Sequence, residues 1–118
     1  MHAAVDSDTD TLLVDGNPRL ALTVSADKPG PLVLFLHGIG GNRTNWTRQL
    51  RALADLCHAV AWDARGYGAS DDYAGALAFS DFRDDLLRLL DHLGAARAHL
   101  CGLSMGGRIA LDFYDHHP

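Results

Sequence analysis

The chain has 118 residues, 47% of them hydrophobic and 21% charged, which suits one domain with a packed core and excludes a disordered chain. Its net charge of −5 argues against nucleic acid or an anionic membrane as partner. No apolar stretch is long enough to span a bilayer, and the N-terminus lacks the basic and apolar regions of a signal peptide, so the expected location is cytoplasmic.

Residues 1–10 are polar and acidic and read as a loose end. Thr11–Val14 and Leu20–Ser25 flank the turn signal Asp15-Gly16-Asn17-Pro18, which predicts an antiparallel strand pair at one sheet edge. Leu20, Leu22 and Val24 alternate with Ala21, Thr23 and Ser25, so the second strand is expected to show one face to a core and one to solvent. Lys28-Pro29-Gly30-Pro31 breaks the chain. The uninterrupted apolar run Leu32–Leu36 then suits a central strand covered on both faces.

A glycine-dense loop, His37-Gly38-Ile39-Gly40-Gly41, follows it. Asn42, Thr44 or Asn45 can cap a helix carrying Trp46, Leu50, Leu53 and Ala54 on one face. His58–Trp62 reads as another short buried strand, ending in the loop Asp63–Ser70. Ser80 is a good N-cap with Asp81 and Asp84 in the first turn, and Phe82, Leu86, Leu89, Leu90 and Leu93 make a helical stripe stopped by Gly94. A strand at Ala98–Cys101 leads into a last helix marked by Met105, Ile109 and Phe113. The two cysteines, Cys57 and Cys101, have no metal-ligand spacing and read as core thiols; no metal or cofactor site is expected.

Strands alternating with helices from residue 32 onward predict a parallel sheet with helices on both faces, an α/β architecture preceded by the antiparallel edge pair. Ligand sites in such sheets form beyond the C-terminal strand ends. Two loops suit that crevice, His37–Gly41 and Gly102–Gly106. The second has the strand–turn–helix setting of a Gly-x-Ser-x-Gly nucleophile elbow, with Ser104 lifted to the start of a helix. Gly102 and Gly106 stand where a β-carbon would collide with the turn. Backbone N–H groups and the helix dipole at that point favour developing negative charge.

Three stretches together resemble the serine-nucleophile α/β-hydrolase family, in order and spacing: His37-Gly38-Ile39-Gly40, Asp63-Ala64-Arg65-Gly66-Tyr67-Gly68-Ala69-Ser70, and Gly102-Leu103-Ser104-Met105-Gly106-Gly107. The resemblance covers the chain from about residue 12 onward and is nearest to compact esterases and lactonases, such as 3-oxoadipate enol-lactonase-like proteins and cofactor-free haloperoxidase-like esterases. It implies Ser104 as the nucleophile and the main-chain N–H groups of Ile39 and Met105 as the oxyanion hole. His37, Gly38, Gly40, Gly102 and Gly106 would support the site loops, and Trp46 and Met105 are candidates to line a substrate pocket. Serine rather than aspartate at the elbow sets the chain apart from haloalkane dehalogenases and epoxide hydrolases, for which the resemblance implies a carboxylate nucleophile.

A serine needs a base and the base an orienting acid, and in this family both follow the nucleophile. Only 14 residues follow Ser104, and Asp112, Asp115, His116 and His117 lie on the helix that leaves the elbow, its end about 18 Å away at 1.5 Å per residue. His37 is expected to prop its loop, His58 and His99 to sit at or within strands, and His92 to lie on a helix surface. Asp63 is expected to anchor the Arg65 loop, and Arg65 to pair with nearby backbone. The chain therefore reads as one partial domain over 1–118, the N-terminal half of a hydrolase. Its expected activity is hydrolysis of a small carboxylic ester or lactone through an acyl-serine, with base and acid outside the chain. The alternative is a non-catalytic hydrolase-fold module that binds a ligand or a partner chain. Either way the nucleophile strand is expected to be an open sheet edge, to be covered by a missing C-terminal half or by self-association.

Overall fold

The computed structural model describes residues 9–25 and 30–118, so residues 1–8 of the loose end expected over 1–10 and the Lys28-Pro29 part of the chain break lie outside the described residues. Five strands form one mixed sheet: β1 (Thr9–Val14), β2 (Leu20–Ser25), β3 (Leu32–Leu36), β4 (His58–Trp62) and β5 (His99–Gly102). Their order is β1-β2-β4-β3-β5. β1 and β2 pair antiparallel from Thr9↔Ser25 to Val14↔Leu20, and β2 meets β4 antiparallel at Leu22↔Trp62. β3 lies parallel between β4 and β5, from Leu32↔His58 on one side and Val33↔His99 on the other.

Side-chain alternation along the strands sorts the core into two layers. Leu32, Leu34 and Leu36 of β3, with Val60 and Trp62 of β4 and Leu20, Leu22 and Val24 of β2, face one side. There they meet Phe82, Leu86 and Leu89 of α2 (Ser80–His92) and Ile109 and Phe113 of α3 (Met105–His116). Phe35, Ala59 and Ala61 face the other side, against Leu50 and Leu53 of α1 (Thr47–Leu53), with Trp46 and Cys57. Each fully buried leucine in these layers contributes roughly 1.5–3 kcal/mol of transfer free energy. The chain leaves β3 over one face through α1 and enters β5 from the other face through α2. The C-terminal ends of β3 and β5 therefore border the switch point where open α/β sheets bind ligands.

Local signals explain most element ends. Asn42 caps a short 3-10 turn, Arg43–Trp46, in a reciprocal capping box with Asn45, and α1 follows directly. Gly94 closes α2 with φ +67°, while the Ala95 N–H reaches Leu90 O and the Gly94 N–H reaches Asp91 O, a Schellman ending.

Four expectations need correction. β1 starts at Thr9, so the pairing recruits two residues from the stretch read as loose. β2 is buried on both faces, because Ala21 and Ser25 are covered by protein rather than facing solvent: Ser70 Oγ, from the loop after β4, accepts from Ala21 N–H, and Ser25 Oγ accepts from the Ala59 N–H of β4 itself. Ser80 is the first residue of α2 and not its cap; the preceding turn is held instead by Asp81, whose carboxylate accepts from Ala78 N–H at 2.9 Å. Cys57 is a core thiol, but Cys101 is exposed, because β5 is the outer strand of the sheet, with no neighbour beyond it among the described residues.

That outer edge is open as the sequence predicts. His99 and Cys101 are exposed and Leu100 only half-buried, and on α3 Leu111 and Tyr114 stand 72% and 68% exposed. A groove of about 850 Å³ runs along this edge between the end of α2, β5 and α3, lined by Leu87, Leu90, Leu100, Ala110, Leu111 and Tyr114 among others.

Candidate active site

Ser104 sits on the turn between β5 and α3 with φ 55° and ψ −112°, the one non-glycine residue of positive φ among the described residues. Such a conformation costs on the order of 1–3 kcal/mol and persists only where its surroundings enforce it. Here the turn is pinned by Leu103 N–H to Leu36 O at 3.0 Å and by Gly106 N–H to Leu103 O at 2.9 Å. The two flanking glycines are obligatory: a β-carbon on Gly102 would lie 2.2 Å from Gly106 O, and one on Gly106 would lie 2.0 Å from Leu36 O. The hydroxyl makes no capping bond to the helix it precedes, and the residue is exposed. A serine on a strained turn, unbound to its own helix, is available to an outside electrophile.

The first turn of α3 presents the Met105 N–H, one of the donors that every helix start leaves unpaired. Across from it lies the 37–41 loop. A β-carbon on Gly38 would stand 3.1 Å from Leu103 O and 3.3 Å from the Ser104 β-carbon, so this loop packs directly against the elbow. Ile39 follows, 81% exposed, and the Gly41 N–H closes the loop on Gly38 O at 3.0 Å. Gly38 is thus set against Leu103 and Ser104, with Ile39 the next residue along its loop and Met105 the next along α3.

His37 is buried at the base of that loop. Its Nε2 accepts from Ala64 N–H at 3.1 Å, so the proton is on Nδ1, which donates to Gly38 O at 2.8 Å. Both nitrogens are thus engaged, and the ring lies against Tyr67, 4.9 Å between centroids.

The loop after β4 supplies the third wall. Asp63 accepts from the Arg43 N–H at 2.6 Å, from Arg43 Nη1 at 2.5 Å and from Ala69 N–H at 2.8 Å. Ser70 Oγ donates to Asp63 O and fastens the loop to β2. Asp63 therefore anchors its loop as expected, yet its main partner is Arg43, which the sequence reading passed over. Arg65 corrects another expectation: it pairs with side chains rather than backbone, donating to both oxygens of buried Asp85 at 2.7 and 2.8 Å, with Asp81 3.7 Å away. The Asp85 bond raises the Arg65 pKa above its ordinary value against the opposing effect of burial. At the outer rim, hydrogen bonding to Arg19 holds the Asp71 carboxyl below the usual range.

The remaining candidates lie elsewhere. Trp46 is partly buried and packs on Phe35, 4.9 Å between centroids, on the α1 face, with its indole nitrogen buried. The Met105 side chain is partly buried against the other core layer, below the elbow. His92 is exposed at the end of α2, His58 and His99 open β4 and β5 at the ends away from the elbow, and His116 binds Asp112 O within α3.

Residues 31–118 match the family model described as the alpha/beta hydrolase fold. The chain belongs to the α/β-hydrolase family. Among curated relatives, 3-oxoadipate enol-lactonase 1 of Acinetobacter baylyi is 33% identical over 92 residues, spanning 78% of this chain and 34% of that protein. Epoxide hydrolase 3 of Xenopus tropicalis is 35% identical over 109 residues, spanning 87% and 29%. Of solved structures, that of a membrane phospholipase A, described as a bacterial virulence factor, superposes with a TM-score of 0.88 at 29% identity, covering 94% of this chain and 36% of its own. The chain thus spans about a third of the length of these α/β-hydrolases. Among the described residues no helix is long and apolar enough to cross a membrane.

Proposed function

We propose that this chain carries the nucleophile and oxyanion hole of a serine hydrolase acting on a small carboxylic ester or lactone. The observation that carries the reading is the turn at Ser104, a strained and exposed serine at the start of a helix with the 37–41 loop packed against it; the main-chain N–H groups of Met105 and Ile39 are the donors the reading assigns to it. Attack of the Ser104 oxygen on an acyl carbon moves the carbonyl electrons onto oxygen, and two donors aimed there stabilise the resulting anion. Collapse expels the alcohol and leaves an acyl-serine, which water then cleaves.

The relatives named as lactonases and as epoxide hydrolases point to different chemistries. The hydroxyl favours the first. A carboxylate that opens an epoxide forms an ester that water can cleave; a serine oxygen would form an alkyl ether, which water does not cleave. A serine elbow therefore turns over on acyl carbons alone.

The base and its acid are assigned to polypeptide outside these 118 residues, which also completes the sheet beyond β5. The exposed β5 edge and its 850 Å³ groove support this, as does the chain's one-third share of its relatives. In the complete protein, turnover of p-nitrophenyl butyrate or a small lactone should fall at least about 1000-fold in Ser104→Ala. Hydrolysis that survives the substitution would overturn the assignment, and the chain would then stand as a ligand-binding module on a hydrolase scaffold.

A further inference from the structure

We infer that the buried Arg43–Asp63 ion pair is a positioning device that sets the oxyanion donor on Ile39. The inference rests on the acyl-serine reading above. Ile39 itself is held by little: its side chain is 81% exposed, and no atom lies within 4 Å of where a β-carbon on Gly40 would stand. The place of its N–H is therefore set by the anchors on either side of the loop. One is His37, locked to Ala64 through Nε2 and to Gly38 through Nδ1. The other is Arg43, four residues beyond Ile39, bound to Asp63 through both its main-chain N–H and its guanidinium.

Asp63 suits a fixed point. It directly follows the last residue of β4, it is 0% exposed, and the Ala69 N–H supplies a third donor. Its own loop wraps it closely: at Gly68, φ +52°, a β-carbon would lie 2.3 Å from Asp63 Oδ2. A carboxylate so enclosed cannot shift to follow a moved arginine. Among the described residues Arg43 Nε is buried with no hydrogen-bond partner, so the guanidinium is held through Nη1 on Asp63. Both anchors of the 37–43 loop thus end on consecutive residues, Asp63 and Ala64, so one rigid strand end fixes the loop at two points. Arg43 and Asp63 touch no reacting atom; they act through Ile39.

The test uses the complete protein, with p-nitrophenyl butyrate as substrate and phenylboronic acid, which forms a tetrahedral adduct on serine, as inhibitor. Arg43→Met should lower kcat about 10- to 100-fold per titrated active site, leave KM within about threefold, and weaken boronate inhibition in step with kcat. Arg43→Lys, which keeps both the charge and the main-chain bond, should restore most of the loss. If Arg43→Met does not fold, Arg43→Gln carries the same test, because it removes the guanidinium while its amide can still donate to Asp63 and the main-chain bond from residue 43 stays. An unchanged kcat per active site in the folded variant, with only thermal stability reduced, would overturn the positioning role and leave the hydrolase reading intact. No Ser104-dependent turnover in the wild-type protein would overturn both.

Discussion

Ser104 holds a conformation that costs free energy, and the residues around it are chosen by that constraint. The elbow glycines differ in what surrounds them, which separates two substitutions that look alike in sequence. Gly106→Ala drives a methyl group to 2.0 Å from Leu36 O and must push α3 off the end of β3. In the complete protein it should cost about 2–4 kcal/mol in urea unfolding, the range of severe overpacking. At Gly107 the nearest atom to an added β-carbon is Gly102 O at 3.5 Å, ordinary contact distance. Gly107→Ala lies within the helix and should be neutral or stabilising by up to about 1 kcal/mol. Equal losses at the two positions would contradict the packing described for the elbow. The serine turn and its glycines were legible from residue type and spacing, because steric demands at a tight turn are local; the place of the loop histidine came from the family resemblance.

At the scale of elements, the helices and strands follow from hydrophobic period, and their ends from caps such as Asn42 and Gly94. What the sequence hid were partners distant along the chain. Asp63 and Arg65 stand two residues apart and suggest one shared role, but the fold sends them opposite ways, to Arg43 and to Asp85. Asp85 interrupts the buried face of α2 between Phe82 and Leu86, and only the folded chain shows that Arg65 and Arg88 neutralise it there. Arg88 also reaches Asp15 O and Pro18 O, so this cluster ties α2 to the β1–β2 turn. Arg65→Met leaves Asp85 buried beside Arg88 alone and should destabilise the protein by about 3 kcal/mol in chemical unfolding. Asp85→Leu with Arg65→Met together should recover part of that loss, since the uncompensated charge is then gone. A single substitution without effect would show that the pair is solvated. Trp46 was ambiguous for a related reason: an aromatic residue near a glycine loop fits a pocket or a core equally well until the sheet face it packs on is known, here that of Phe35.

At the scale of the whole molecule, the sheet ends on the strand that carries the elbow. The β5 edge, with exposed Leu111 and Tyr114 beside it, offers unpaired backbone and apolar surface together, a pairing template for any other strand. The 118-residue polypeptide prepared alone should therefore sediment above its 12.7 kDa monomer mass, increasingly so with concentration. A monomer that melts cooperatively and hydrolyses esters would refute the assignment of base, acid and sheet completion to polypeptide outside it. The central claim is that Ser104 is an acylating nucleophile, and it is tested most directly by the intact mass of the complete protein after reaction with a fluorophosphonate. The account predicts one phosphonyl adduct, located on the peptide containing Ser104 and absent from Ser104→Ala. No adduct at Ser104 in a protein that still hydrolyses its ester would contradict it.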